Sequence, residues 1–191
     1  RVSGTTYVLP AAIPAKTGVT ARLTLPLRVL NKMHLVGNGE FRNDNNLSVF
    51  IGGDLEINAG SVFNTGTNEF TFDNFTGYEK SASLINNGTI TTGFNDFIVN
   101  KFNDSITIAG SGTSITILDE LKILQGSLLD NGKTINVAGN ITNTGVHTGI
   151  GKIVMNGTTI IQRISGNGNG QFGNLELNNS GGVAGSIQIE M

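Results

Sequence analysis

The fold is decided by a pattern that occurs twice without a gap, in Asp54-Leu-Glu-Ile-Asn-Ala-Gly-Ser-Val-Phe-Asn64 and in Glu120-Leu-Lys-Ile-Leu-Gln-Gly-Ser-Leu-Leu-Asp130. Both segments follow the order acid, Leu, any residue, Ile, two further residues, Gly, Ser, two apolar residues and Asx. A looser third copy begins at Asn174-Leu-Glu-Leu177. Strand, glycine turn and strand in a fixed order, at several places along one chain, are typical of repeat architectures.

Short runs of alternating apolar residues continue this pattern along the chain. A period of two indicates strands with one face turned inward. No stretch of the chain keeps a helical period over a window of about 11 residues, so we expect no helix beyond a stray turn. The predicted strands are 47–51, 55–57, 70–72, 105–108, 114–117, 121–123, 134–137, 175–177 and 186–189.

Two all-β architectures fit these strands, a hairpin-based sandwich and a parallel β-helix or β-solenoid. Asn-Gly turns also favour hairpins. Strands shorter than five to six residues favour the solenoid, as do the low charge on both faces and the many Asn residues, whose amides can stack and pair on successive coils. At roughly 20 residues per coil, residues 31–191 would form about eight coils and a rod about 40 Å long.

Residues 1–30 differ from the rest because they hold all three prolines. We expect residues 1–30 to be an extended lead-in or capping segment, and residues 31–191 to be the solenoid repeats. The chain opens with Arg1-Val-Ser-Gly4 and shows no apolar stretch of a signal peptide. We therefore expect a mature product or an internal fragment.

Composition argues against several classes of function. Charged residues make up 14%, the net charge is −2, and the 12 basic residues are scattered. A basic stripe that could neutralise phosphates is therefore missing, and we expect no nucleic-acid partner. The apolar runs are too short for membrane insertion by a helix. The absence of Cys excludes thiol catalysis and Cys-based zinc sites, so stacked repeats have to supply the stability that disulfides give many secreted domains.

The C-terminal part resembles a known family. Gln162-Arg-Ile-Ser-Gly-Asn-Gly-Asn-Gly-Gln-Phe-Gly-Asn-Leu-Glu-Leu-Asn-Asn-Ser-Gly-Gly-Val183 resembles a unit that recurs in very large surface proteins of the Bacteroidota. Phe50-Ile-Gly-Gly-Asp-Leu-Glu-Ile-Asn-Ala-Gly60 resembles the companion coil. The resemblance runs from about residue 47 onward. It implies a β-helix, adhesin-like protein, exported by the type IX secretion system and active in surface attachment or gliding.

The residues that could carry catalysis are scattered. A nucleophilic triad needs a His held by an acid, and we expect both histidines, His34 and His147, to occupy ordinary surface or strand positions. Polysaccharide lyases and hydrolases on a β-helix need clustered carboxylates in a groove. Adjacent strand residues such as Asp119 and Glu120 point to opposite faces. The remaining carboxylate candidates, which we expect to be solvated turn residues, are Asp44, Asp73, Asp96 and Asp104.

The sequence predicts no metal or cofactor. Asn43-Asp-Asn-Asn46 is rich in oxygen ligands but lacks the order of an EF-hand. Gly166-Asn-Gly-Asn-Gly170 lacks both the Asp of a calcium-binding repeat and the Lys of a phosphate loop. The chain has no Trp, and only Tyr7 and Tyr78 among its aromatics carry a polar group; we expect its ten Phe residues mainly in the core.

One modification site is suggested by resemblance. Asp104-Ser105-Ile106 resembles the acceptor motif of O-glycosylation in the Bacteroidota, which implies a sugar on Ser105. The alternative is an ordinary turn that leads into a strand.

Three functions remain open. The first is a non-catalytic segment of a secreted, cell-surface, adhesin-like β-solenoid that acts as a stalk or display surface. Its partners would be the secretion machinery during export, and surface glycans or other surface proteins afterwards. The second is a polysaccharide-active enzyme on the same scaffold, and the third is a carbohydrate- or protein-binding module.

Overall fold

The protein is an all-β parallel solenoid of about seven coils, seen in a computed structural model that describes residues 7–9, 20–158, 161–181 and 187–190. The described residues form 21 β-strands and contain no helix. All the pairs between these strands are parallel. Each coil contributes strands to three faces, which we number in the order in which the chain meets them.

Face 1 is the longest ladder. Two of its strands, β12 (Asp96–Ala109) and β14 (Glu120–Leu129), continue around a corner onto face 2. The other strands of face 1 are β1 (Tyr7–Leu9), β3 (Leu27–Val29), β6 (Val49–Ile51), β9 (Glu69–Asp73), β16 (Asn140–Asn143), β19 (Gln162–Ser165) and β21 (Ile187–Glu190).

Face 2 follows face 1 in each coil. It contains the second halves of β12 and β14, which pair with strands of the neighbouring coils. Its other strands are β4 (Met33–Leu35), β7 (Leu55–Ile57), β10 (Ala82–Asn86) and β17 (Val146–Thr148).

Face 3 closes the coil and consists of two separate sheets. The first sheet contains β2 (Thr20–Arg22), β5 (Glu40–Arg42), β8 (Val62–Asn64) and β11 (Thr89–Thr91). The second contains β13 (Ser114–Ile117), β15 (Thr134–Val137), β18 (Lys152–Met155) and β20 (Leu175–Leu177). A single bridge between Phe94 and Ile117 connects the coils at the junction of the two sheets.

The strand predictions are confirmed in kind and place. All nine predicted runs lie within or overlap observed strands, although β12 and β14 are far longer than predicted. Both strands keep their backbone pairing as they turn from face 1 to face 2, whereas the sequence showed only the separate alternating runs on either side of the turn. There are about seven coils and not eight, because some coils are longer than the length assumed from the sequence.

The two matching segments of the sequence do not occupy equivalent positions in the coil. Leu55 lies on face 2, where it pairs with Leu84, whereas Leu121 lies on face 1, where it pairs with Phe97. Leu175 of the looser third copy lies on face 3. The pattern correctly indicated a repeat architecture, but it describes a strand–glycine–strand corner. Such a corner can occur between any two of the three faces.

The core is built by alternation along each strand. In β7, Leu55 and Ile57 are fully buried while Glu56 between them is partly exposed, and β14, β15 and β16 follow the same rule. Because neighbouring coils are parallel and in register, these side chains stack along the axis. Each fully buried aliphatic or aromatic side chain contributes about 1.5–3 kcal/mol, which gives a chain without disulfides its stability.

The ladder already includes strands that precede residue 31. Thr20 pairs with Glu40 on face 3, and Leu27 pairs with Val49 on face 1. Residues 1–6 and 10–19 of the predicted lead-in lie outside the described residues. The domain boundary near residue 30 therefore stays a prediction.

Asparagine side chains connect the coils, mostly by a different bond from the amide pairs that we expected. They donate to backbone carbonyl groups of the neighbouring coil, and one Asn–Asn contact occurs among the described residues, from Asn156 to Asn136 at 3.4 Å. The bonds from asparagine side chains to backbone oxygens of a neighbouring coil are Asn43 to Thr65, Asn45 to Leu23, Asn68 to Asn46, Asn74 to Phe102, Asn143 to Gln171 and Asn174 to Gly151.

Candidate functional site

The corner between faces 1 and 2 carries the most irregular backbone of the ladder. Asn100 of β12 is paired with Gln125 of β14, and the next pair is Ser105 with Ser127. The residues between Asn100 and Ser105 therefore stand opposite a single residue, Gly126. Bulges of this kind redirect side chains and are frequent near functional sites. We call residues 101–104 the corner bulge.

Gly126 makes this arrangement possible. Its φ of +77° is in the left-handed region, and a Cβ atom there would lie 1.9 Å from the backbone oxygen of Lys101 and 2.4 Å from that of Asp104. Only glycine fits under the corner bulge.

The corner bulge turns one side chain in and the next side chain out. Lys101 is fully buried, and its Nζ atom donates a hydrogen bond to the backbone oxygen of Gly52, two coils away. Phe102 is 64% exposed, and its backbone oxygen accepts a hydrogen bond from Asn74 Nδ2 at 3.1 Å. The bulge is therefore held from both sides while it presents an aromatic ring to solvent.

Phe102 is an exception in composition as well as in position. The chain has ten Phe residues, and the other nine are buried or half-buried. The expectation that Phe would mainly build the core is confirmed, and Phe102 is the residue that departs from it.

A groove of about 520 Å³ runs beside the corner bulge and across several coils. Its walls combine two exposed apolar side chains, Phe102 and Leu124, with neutral polar ones. Among its lining residues Asp104 is the one ionisable side chain. The hydroxyl and amide side chains of the lining are Ser81, Asn103, Ser105, Gln125, Ser127 and Thr144.

Three of these hydroxyls form a row along the groove, one per coil. Ser105 stands in register with Ser127. Ser81 Oγ accepts hydrogen bonds from the backbone nitrogen and from Oγ of Ser105, both at 3.1 Å, and donates to Asp104 Oδ1 at 3.3 Å. The row follows the solenoid axis with the spacing of parallel strands, ~4.8 Å per coil.

Ser105, the predicted glycosylation site, lies on the floor of this groove. It belongs to the second half of β12 and is half-buried, so the sequence motif leads into a strand and also faces an open surface. A sugar on its oxygen would have to replace the hydrogen bond to Ser81. The modification itself stays a prediction.

The carboxylates that the sequence offered for catalysis lie apart and are engaged by neighbours. Asp44 pairs with Arg22 at 2.8 Å and with Arg42 at 3.0 Å at the end of face 3. Asp73 accepts a hydrogen bond from Asn100 at 2.8 Å, at the end of face 1. Asp104 is the one carboxylate candidate in the groove.

Asp96 and Glu120 meet on the outer side of face 1, where they bracket the ammonium group of Lys122 at 3.4 Å and 3.1 Å. Partial burial acts to lower the pKa of Lys122, but the two carboxylates together outweigh this effect and raise the pKa. Glu120 also accepts a hydrogen bond from Thr142 at 2.6 Å. Asp119, which precedes Glu120, is exposed. This cluster stands on a strand surface, balances charge between two coils and reaches a third coil through Thr142.

His34 occupies the outer side of face 2, as expected for a strand position. It is in register with Glu56, and its Nε2 atom is 3.6 Å from Glu56 Oε1. A hydrogen bond from Lys32 is the main cause of the lowered pKa of Glu56.

His147 is a strand residue, but its side chain lies in the interior. It is fully buried on β17, and its Nε2 atom is 3.1 Å from the equally buried Asp130 Oδ2, at an angle that is poor for a hydrogen bond. Nδ1 accepts a hydrogen bond from the backbone nitrogen of Gly173 at 3.3 Å. The imidazole therefore connects three successive coils.

Burial lowers the pKa of His147, and the carboxylate of Asp130 opposes this effect. Asp130 Oδ1 accepts hydrogen bonds from the backbone nitrogens of Gly132 and Gly151, at 2.8 and 2.7 Å. Both ring nitrogens of His147 face these neighbours, so the pair is arranged for structure and not for activating a nucleophile. Sequence analysis missed this pair, because its two members lie far apart in the sequence and on different coils.

Lys101 is the second buried ionisable group that sequence analysis missed. Burial lowers its pKa to about 8, although the carboxylates of Asp104, Asp73 and Asp54 act in the opposite direction. Its position in an alternating run gave no hint of burial. The extra residues of the corner bulge change which side chains point into the interior and which point to solvent.

The two oxygen-rich loops have structural contacts. Asn43 is buried, and its side chain donates to the backbone oxygens of Leu47 and Thr65 at 2.7 and 2.8 Å. Gly166 and Gly170 pack against the backbone oxygen of Asn143, where a Cβ atom would lie at 2.4 and 2.1 Å. Within the described ranges no group of three or more His, Asp or Glu residues could hold a metal ion.

Of the two tyrosines, Tyr78 is exposed on the loop that precedes β10, and the side chain of Tyr7 lies outside what the structure describes. No helix in the described part of the chain is long and apolar enough to cross a membrane. No family model, no curated protein and no solved structure matches the chain.

Proposed function

We propose that this chain is a non-catalytic structural segment of a secreted, cell-surface, adhesin-like β-solenoid, which acts as a stalk or display surface. The observation that carries the proposal is the continuous parallel ladder of about seven coils around one stacked apolar interior. A ladder of this kind is stiff along its axis, because each coil contacts mainly its neighbours and adds to the length of the rod.

The contacts of the polar side chains support a structural role. Four carboxylates each contact a side chain from the same coil or from a neighbouring coil. They are Asp44, Asp73, Asp96 and Glu120. The buried pair of His147 and Asp130 likewise connects coils. In these places charged groups stabilise the stacking of coils.

The setting of the proposal comes from the sequence resemblance. A segment like those of large Bacteroidota surface proteins would be exported by the type IX secretion machinery and would serve attachment or gliding outside the cell. Its partners would be surface glycans or other surface proteins. The low charge of the chain, 14% of residues, agrees with a polar, uncharged exterior of this kind.

Surface labelling of intact cells tests the proposal. An antibody raised against residues 20–158 should label intact, unpermeabilised cells that produce the protein, and deletion of the secretion machinery should abolish the label. Labelling that requires permeabilised cells would refute the surface location.

The sugar predicted on Ser105 is tested by measuring the intact mass of the secreted wild-type protein and of the Ser105→Ala variant. The wild type should be heavier by a glycan that the variant lacks.

A polysaccharide-active enzyme on the same scaffold is the competing function. Glycoside hydrolysis commonly uses two carboxyl groups, about 5–10 Å apart, flanking the bond that is cleaved. The groove beside the corner bulge offers Asp104. Release of reducing ends from a polysaccharide panel by the wild type, and its loss in Asp104→Asn, would establish the enzyme and overturn the structural proposal.

A further inference from the structure

We propose that the groove beside the corner bulge binds a neutral oligosaccharide chain, which lies along the solenoid axis with one sugar ring stacked on Phe102. The inference goes beyond a scaffold role and does not depend on it, because it rests on the groove alone. It requires a free hydroxyl on Ser105, so binding is measured on the chain without the sugar predicted at that residue.

The first argument is the way in which Phe102 is presented. An exposed phenyl ring on a polar surface loses its contact with water only when a partner covers it, and a sugar ring offers a flat face of C–H groups that suits an aromatic face. The backbone of Phe102 is fixed by Asn74, and the neighbouring Lys101 is anchored in the interior. The ring therefore sits on a preorganised base, which reduces the entropy lost on binding.

The second argument is the row of hydroxyl groups. Ser81, Ser105 and Ser127 follow one another on successive coils in the lining of the same groove. Each hydroxyl can donate one hydrogen bond and accept two, which matches the hydroxyl groups of a sugar. Since the row repeats at the spacing of the coils, a linear chain along the axis meets the same type of group several times.

The third argument is the charge of the lining. The groove has no Lys, Arg or His among its lining residues, and Asp104 gives it a partial negative charge. An acidic polysaccharide or a nucleic acid would be repelled by this carboxylate and would find no cation among the lining residues. The lining therefore favours an uncharged polar ligand with apolar faces.

Affinity electrophoresis of the folded chain tests the proposal with three neutral polysaccharides, a β-glucan, a mannan and a starch, and with a polyuronate as the acidic counterpart. The protein should be retarded by at least one neutral polymer and not by the polyuronate. Phe102→Ala should weaken that retardation at least about tenfold, as expected for an aromatic anchor.

The matched control is Ile150→Ala, which removes an apolar side chain that is 91% exposed and is not part of the groove. It should leave the affinity within about twofold. Ser127→Val introduces the residue that stands at the same register position in the next coil, Val146, and removes one hydroxyl of the row. It should lower the affinity about three- to tenfold.

Circular dichroism melts of all variants establish that each is folded before binding is compared. Failure of the wild type to bind any of the three neutral polymers would overturn the proposal. Equal binding by Phe102→Ala and the wild type would do so too, as would retardation by the polyuronate alone. None of these outcomes bears on the surface location of the chain, which the antibody experiment tests separately.

Discussion

The two halves of the solenoid have the same topology but different interiors. The N-terminal coils contain a continuous cluster of phenylalanine rings, in which Phe70 contacts four others at centroid distances of 4.9 to 6.1 Å. The coils after residue 105 have no Phe in the buried core among the described residues, and stack Ile, Leu, Val and Met instead. The ring cluster consists of Phe41, Phe63, Phe70, Phe72, Phe94 and Phe97.

Coil length varies along the chain, and both halves contain longer and shorter coils. Leu55 pairs with Leu84 and Phe70 with Phe97, which are coils of 29 and 27 residues. Ile115 pairs with Ile135 after only 20 residues. A parallel solenoid tolerates both, because each coil has only to match its neighbours.

Each half also contains a buried basic side chain, and in the aliphatic half the carboxylate of Asp130 is buried beside it. Lys101 lies on the coil that borders the aromatic cluster, and His147 lies among the aliphatic coils. Both have a pKa below the ordinary value because burial disfavours the charged form. The comparison of the halves therefore extends from packing to the dependence of stability on pH.

The largest effect should come from a charge in the aliphatic interior. Ile123 is fully buried on β14, and Ile123→Asp would put an unpaired carboxylate there, at an expected loss of more than about 4 kcal/mol. We expect the β-type circular dichroism signal to be lost cooperatively, while Ile123→Val, as the control, loses only about 0.5–1.5 kcal/mol. An unchanged melt of Ile123→Asp would contradict a packed interior at this position.

A smaller loss should follow when the centre of the aromatic cluster is removed. Phe70→Ala leaves a cavity among four rings and should destabilise the protein by about 3–5 kcal/mol in urea unfolding. Ile135→Val, in the other half, should cost about 0.5–1.5 kcal/mol. Hydrogen exchange should show faster opening of β6, β9 and β12 in Phe70→Ala than of β15 and β18. Equal loosening of both halves would mean that the halves are not separate units of stability.

The sequence predicted the strands and the parallel stacking because both depend on local information. Alternation in β13 and β15 places Ile115 and Ile135 inward whatever the neighbouring coil is. The register between coils depends on the number of residues at each corner. Asp54–Asn64 and Glu120–Asp130 look equivalent in sequence, yet they begin on faces 2 and 1 because corner lengths differ along the chain.

The candidate site could be predicted only in part. The motif at Asp104-Ser105 drew attention to the correct strand, but the groove exists because the corner bulge of β12 stands opposite Gly126 of β14. That mismatch depends on the pairing of two distant segments. The exposure of Phe102 and the burial of Lys101 follow from the same mismatch. The alternation of apolar and polar residues in the sequence therefore predicted neither of them.

Alkaline pH should stabilise the coil that contains Lys101. Its folded pKa is about 8, below the 10.5 of an unfolded chain, so between these values the unfolded state binds more protons and stability rises with pH. We expect a gain of roughly 1–3 kcal/mol between about pH 7.5 and 10 in urea unfolding. Lys101→Met should lose this gain.

Lys80→Met is the matched control for Lys101→Met, because Lys80 belongs to the same corner but is exposed. It should keep most of the rise in stability with pH. If the stability of both variants rose with pH as in the wild type, the rise would not come from Lys101. The two halves would then not differ in how their stability responds to alkaline pH.

The smallest effect should come from His147, on the acid side. Burial lowers its folded pKa below the ordinary 6.5, so the unfolded chain takes up a proton first and stability falls as pH drops below about 6.5. We expect this residue to contribute a loss of stability between about pH 7 and 5. His147→Gln keeps an acceptor for the backbone nitrogen of Gly173 and should remove that part of the loss. His34→Gln, which replaces the other histidine, should retain this loss of stability.

If His147→Gln and the wild type lose stability equally, the acid response belongs to carboxylates spread over the solenoid. The interior of the aliphatic half would then be neutral in its response to pH, and the two halves would differ only in how they pack.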